Sequence, residues 1–168
     1  MSMFIKWRDG RAEALADPFT TVDDDQPTPA GDVIVSLTRF QTEGEDLLAR
    51  GRRVGVRLTA DETPEALAYD LPRISVVALT FPKFRDGRAY SAARVLREAL
   101  NFTGEVRAVG DVLQEQLYFM IRCGFDAFVP ADGATVDQVE AAARRYRHVY
   151  QRAADGLEPA FVQREKAA

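Results

Sequence analysis

The sequence predicts an α/β domain built on a single open, mostly parallel five-stranded sheet with helices on both faces, preceded by a short N-terminal hairpin. Three observations predict it. From Asp32 onward, apolar runs of strand length alternate five times with segments of helical periodicity, and serial strand–helix pairs make parallel sheets with right-handed crossovers. The strand runs read as buried, Ile74–Phe81 being the most continuously apolar, as expected where both sheet faces are covered. The chain has 168 residues, too few for a closed eight-unit barrel of about 250.

Each element has its own signal. In FIKWRDGRAEAL, Asp9-Gly10 separates two short runs and suits a tight hairpin turn at positive φ. ADPFTTVDDDQPTPAGD, rich in Asp, Pro and Thr, reads as an extended linker, and its run Asp23–Asp25 as solvated charge. VIVSL (33–37) is the first strand of the domain, and Thr38 with Gln41 forms a capping-box pattern for a helix reaching Arg50-Gly51. RVGVRLT (53–59) is the second strand, and Thr63-Pro64 opens a short helix ending near Leu71-Pro72. ISVVALTF (74–81) is the central strand, followed by a helix over 91–100. EVRAVG (105–110) is the fourth strand, and Asp111 with Gln114 caps a helix that stops at Gly124. FDAFVP is the fifth strand, and Thr135 with Gln138 begins a last helix reaching about Arg152. The organisation is therefore a hairpin and linker over 1–30, the α/β domain over 31–152, and a loose tail over 153–168.

Composition excludes several functions. A formal net charge of −4 argues against nucleic acid as a partner, because no excess of cations is available to release counterions. One cysteine, Cys123, permits no internal disulfide and no zinc or redox CxxC motif. Charges interrupt MSMFIKWRDG at once, so neither a leader nor a membrane partner is expected, and the expected address is cytoplasmic. No dinucleotide or P-loop glycine pattern occurs. His148, the single histidine, lies among arginines with no nucleophile at a recognisable spacing.

The candidate site follows from where such sheets bind ligands, outside the carboxyl ends of the strands. TFPKFRDGRAYSAARVLREAL (80–100) concentrates cations there. Lys83, Arg85 and Arg88 are the principal anion-binding candidates, because an arginine fork beside a helix N-terminus suits a sulfate-, phosphate- or carboxylate-like group. Arg39 emerges from the first strand, and Gly110 and Asp111 from the fourth. Asp111 has two readings, a helix cap or a carboxylate that orients Arg88 or handles a proton. Arg94 and Glu98 pair at i,i+4, and Arg97 faces solvent on the same helix. Arg107 is odd: a cation amid Val106, Ala108 and Val109 must find a carboxylate or reach the sheet's end.

FPKFRDGRAYSAARVLRE and GEVRAVGDVLQEQLYFMIRCGFDAF, together with the IKWRDGR hairpin and the VIVSLTRF strand, closely resemble segments of an uncharacterised bacterial family, domain of unknown function nine hundred and thirty-four. The family motif falls on Phe81, Pro82, Phe84, Asp86, Gly87, Arg88, Tyr90, Ser91, Arg94, Arg97, Arg107, Gly110, Asp111, Arg122, Gly124 and Phe125. The resemblance implies a link to assimilatory sulfite reduction, the genomic setting typical of its members. It makes a small oxyanion or sulfite reductase the expected partner. No cofactor is expected: one cysteine cannot hold an iron–sulfur cluster, and no nicotinamide fingerprint is present. The leading expectation is an accessory protein that binds an oxyanion or docks onto the reductase. The alternative is a small lyase or transferase acting on a phosphorylated or sulfated metabolite, with Asp111 as acid or base. A purely structural homo-oligomer is the third class.

Overall fold

The computed structural model describes residues 3–167. Its centre is one eight-stranded mixed sheet, curled into a half-barrel. The strands are β1 (Met3–Arg8), β2 (Arg11–Ala16), β3 (Phe19–Thr21), β4 (Asp32–Ser36), β5 (Val54–Leu58), β6 (Val76–Phe81), β7 (Glu105–Gly110) and β8 (Ala127–Phe128). Their order across the sheet is β2-β1-β8-β7-β6-β5-β4-β3. Strands β3 to β8 run parallel, whereas β1 is antiparallel to both β8 and β2.

This corrects the expected five-stranded sheet with helices on both faces. The five expected strands are present as β4 to β8. The hairpin does not precede the sheet but extends it, through Ile5↔Phe128 and Lys6↔Ala127. The Pro- and Asp-rich segment contributes a sixth parallel strand, β3, paired with β4. Neither addition is visible as a long apolar run, because β2 is largely exposed and β3 is three residues long. The faces follow from strand order. When each right-handed crossover steps to the next strand in the same direction, every helix lands on one face, and the sheet curls away from them as a barrel wall does.

The helices are α1 (Leu37–Ala49), α2 (Arg88–Arg94), α3 (Leu117–Cys123), α4 (Val136–Ala143) and α5 (Ala160–Ala167). The larger core lies between the convex face and these helices: Val33, Val35, Val56, Val77 and Ala108 pack with Phe40, Leu47, Ala93, Leu96, Met120 and Val139. A much smaller cluster, Phe19, Ile34, Val76 and Ala78, lines the concave face. Gly55 belongs to that face for a steric reason: a Cβ there would meet Ile34 Cγ1 at 2.8 Å.

Local signals succeeded unevenly. Asp9 (φ 51°) and Gly10 (φ 77°) turn the hairpin, and Gly124 (φ 101°) ends α3. Thr135 and Gln138 form the reciprocal capping box of α4. Helix α1 is capped by Ser36 Oγ, which accepts the Arg39 amide, and not by Thr38. Short 3-10 turns stand at Pro64–Leu67 and Leu71–Arg73. Helix α4 ends at Ala143, well before Arg152, and the tail carries α5. No helix among the described residues is long and apolar enough to cross a membrane.

Candidate functional site

The six residues singled out from sequence lie along the carboxyl edge of the parallel strands, in three different states. Arg39 is committed to structure. It is buried, at 7% exposure. Its Nη1 donates to the carbonyls of Asp23 and Gln26 at 2.8 Å each, its Nη2 to Thr28 Oγ1 at 2.8 Å, and its Nε to Glu43 at 3.2 Å. That one side chain pins the segment after β3 onto α1.

Arg88 opens α2, where its guanidinium meets two carboxylates. Nε and Nη2 donate to the two oxygens of Asp86 at 3.0 and 2.6 Å, and Nη1 donates to Asp61 at 2.5 Å. The side chain is 54% exposed. Arg88's side-chain bond, helped by its backbone N–H, holds the Asp86 carboxyl down at about 2. An incoming anion would have to displace two carboxylates already in place. Lys83 and Arg85 differ: both are exposed, and neither makes an ion pair or side-chain hydrogen bond among the described residues. Phe84, between them, is 46% exposed.

Gly110 and Asp111 hold this loop in place. Gly110 (φ 91°) passes so close to β6 that a Cβ would lie 2.4 Å from the Phe81 carbonyl oxygen, and the next amide, Asp111 N–H, donates to that same oxygen at 2.8 Å. The Asp111 carboxylate accepts the Phe84 N–H at 2.8 Å. Asp111 is therefore not the cap of the following helix. That start belongs to Leu113, whose N–H donates to Gln116 Oε1 at 2.9 Å. Asp111 caps the 82–85 loop from the neighbouring strand instead, an assignment invisible to a local capping pattern because the partner lies 27 residues away.

Two arginines carry more than their sequence positions suggest. Arg97, expected at the solvent face of its helix, is only 17% exposed at its side chain. It donates to the carbonyls of Gly124 (3.0 Å), Phe102 (2.7 Å) and Gly104 (2.7 Å). The cause is a π-helical turn over Val95–Ala99, closed by the Leu100 N–H on the Val95 carbonyl. It adds a residue to the turn and rotates the face that a 3.6-residue period assigns to solvent. The Arg94–Glu98 pair forms as expected, with contacts of 2.9 and 3.0 Å. Arg107 crosses the concave face: Nη1 donates to Asp17 at 2.6 Å, Nε to Glu105 at 2.7 Å, and the guanidinium carbon stands 4.4 Å from the Phe4 ring centroid. Its side chain is 2% exposed, so the expectation that it must find a carboxylate is met twice.

Cys123 is half-buried at the end of α3, and burial pushes its thiol above the ordinary value. That is opposite to the activation a nucleophilic thiol needs.

No curated protein matches the chain. Arg88, Arg97, Arg107 and Asp111 all fall within residues 55–161, a span longer than half of the chain that matches the model of one family. The chain belongs to that family, described as bacterial protein of unknown function (DUF934).

Proposed function

We propose that the protein is an accessory factor of assimilatory sulfur metabolism that docks onto sulfite reductase through the loop 82–85. The observation that carries docking is the state of that loop. Lys83, Phe84 and Arg85 are all exposed, and Asp111 fixes the Phe84 backbone from the neighbouring strand. A held loop presenting two uncommitted cations around an aromatic ring suits an acidic protein surface: the charges steer encounter and the ring supplies a desolvated anchor. The partner is suggested by the resemblance to a family associated with sulfite reduction. Enzymatic turnover has less support, since Asp111, its candidate acid or base, spends a carboxylate oxygen on the Phe84 amide.

The test is immobilisation of the protein and titration with purified assimilatory sulfite reductase at two ionic strengths. Saturable binding that weakens at high salt, and that falls at least tenfold in the Lys83→Glu/Arg85→Glu double variant, supports the reading. No binding, or binding indifferent to the double variant, removes it.

A further inference from the structure

The half-barrel has an interior, and one row of residues crosses it. Register places Ser36 beside Arg57, Arg57 beside Ala78, Ala78 beside Arg107, Arg107 beside Ala127, and Ala127 beside Lys6. Small residues on β4, β6 and β8 therefore alternate with cations on β5, β7 and β1. Alternate strands also fill a given layer inside complete barrels, usually with bulky apolar side chains. Here the bulky positions are charged.

Lys6 is satisfied: its ammonium lies 2.9 Å from Glu105 and 3.0 Å from Asp126. Arg57 and Arg107 are less fully engaged. Arg107 has two nitrogens engaged, but its Nη2 is buried and donates to no acceptor among the described residues. Arg57, with its side chain 35% exposed, makes no side-chain hydrogen bond among the described residues and forms only a loose ion pair with Asp23 at 3.7 Å. The two arginines flank Ala78, so their Cα atoms stand roughly 10 Å apart, two strand spacings, and the curl tips their side chains toward one another. A cavity of about 220 Å³ lies between them, walled by Asp17, Thr21, Arg57, Ala78, Arg107 and Val109 among others. Beside the wall residue Val109, the Thr80 hydroxyl is a second buried polar atom without a partner among the described residues. It is on β6 two residues beyond Ala78, hence on the same face, and is paired in register with Val109.

Buried donors without acceptors are costly and uncommon, and two on adjacent strands of one concave face call for a common explanation. We propose that this cavity binds one small oxyanion, clamped between Arg57 and Arg107 above Ala78, with the Thr80 hydroxyl as a further donor. The chemistry follows from the groups. Guanidinium forks match tetrahedral and planar oxyanions. Asp17 accepts from the Phe19 amide and from Arg107 Nη1, and leaves Nη2 without an acceptor among the described residues. The volume exceeds that of a few waters, each needing about 30 Å³, yet excludes a nucleotide-sized body, for which pockets run from about 300 Å³ upward. Ala78 is the specificity element: a larger side chain in the row would occupy the ligand's place. This site is separate from the 82–85 loop, and either can fail alone.

The test is calorimetric titration at low ionic strength with sodium sulfite, sulfate and phosphate in turn, under anaerobic conditions for sulfite. One-to-one saturable binding of at least one of these is expected. Arg57→Gln should weaken it at least tenfold, and Ala78→Leu should abolish it. Arg107→Lys keeps the charge, loses the fork and should also weaken binding. Arg145→Gln, on an exposed residue with no side-chain partner among the described residues, serves as the charge control and should leave binding intact. Circular dichroism on each variant separates lost binding from lost fold, and Arg57→Gln decides the matter if the buried variants do not fold. Absence of saturable binding for all three anions overturns the proposal. So does binding that survives both Arg57→Gln and Ala78→Leu, or that falls equally in Arg145→Gln.

Discussion

Arg88 and Arg107 have the same inventory, one guanidinium and two carboxylates, but differ in where they keep it. Arg88 meets Asp86 and Asp61 on the carboxyl rim with its side chain 54% exposed. Arg107 meets Asp17 and Glu105 inside the half-barrel with its side chain 2% exposed. Contacts are equally short in both places, from 2.5 to 2.7 Å. Contact length therefore says little about consequence. Water screens the rim pair and can replace either partner, whereas a buried charge deprived of its partner stays deprived.

The largest expected effect tests that contrast directly. Arg107→Met should cost about 3–5 kcal/mol, the usual penalty for breaking a buried ion pair and leaving carboxylates behind. Arg88→Met should leave the urea midpoint unresolved from that of the parent. Adding Asp17→Asn to Arg107→Met should restore part of the loss, because it removes one stranded charge. Equal midpoints for the two single variants would break the comparison.

Next comes Arg97→Ala. Three carbonyls lose a charged donor, from a side chain only 17% exposed. A loss of about 2–3 kcal/mol in urea unfolding is expected, given that bonds to charged groups contribute about 1.5–3 kcal/mol each and water can satisfy some of the freed carbonyls. A silent substitution would instead return Arg97 to the solvent face that simple helical periodicity assigns it.

Smaller again is Asp111→Ala, which removes the acceptor of the Phe84 amide and should cost about 1 kcal/mol. Its location is more telling than its size. Amide exchange should quicken at Phe84 and leave α3 protected. Quickening along α3 would make Asp111 a helix cap after all.

These cases also mark what was legible in the sequence. Strand runs β4 to β8 could be found because burial on a parallel sheet writes continuous apolar stretches, and Gly124 and Thr135 because their signals act within a few residues. Strand β3 was hidden: Phe19–Thr21 is too short to have a pattern, and it is anchored by β4 rather than by its own composition. The one-faced arrangement of helices depends on strand order, which no local signal encodes. At the rim, the loop's cations were visible but their partners were not, since Arg88 meets Asp61 across 27 residues and Asp111 meets Phe84 across the same separation. Arg57 gave no warning, lying in a strand read only as apolar, while Arg107 was conspicuous because a cation within a buried strand has few places to go.

The smallest expected effect sharpens the exposed side of the comparison through pH. Asp86 has a folded-state value of about 2 against an ordinary 3.8, chiefly because the Arg88 side chain donates to it. A carboxyl depressed by folding adds stability above its unfolded value, and that contribution disappears as pH falls through the folded one. The relevant window is therefore pH 4 down to pH 2. In Arg88→Met the largest cause is gone, so the Asp86 titration followed by carbon NMR should move up toward the ordinary range. Thermal midpoints of parent and variant, already close at pH 5, should draw closer still as pH falls through 2, where the parent's Asp86 carboxyl takes up its proton. An unmoved Asp86 titration in the variant would show that the Arg88 backbone N–H, which reaches Asp86 at 3.2 Å, depresses the carboxyl unaided. The side-chain pair on the rim would then contribute even less than its exposure suggests.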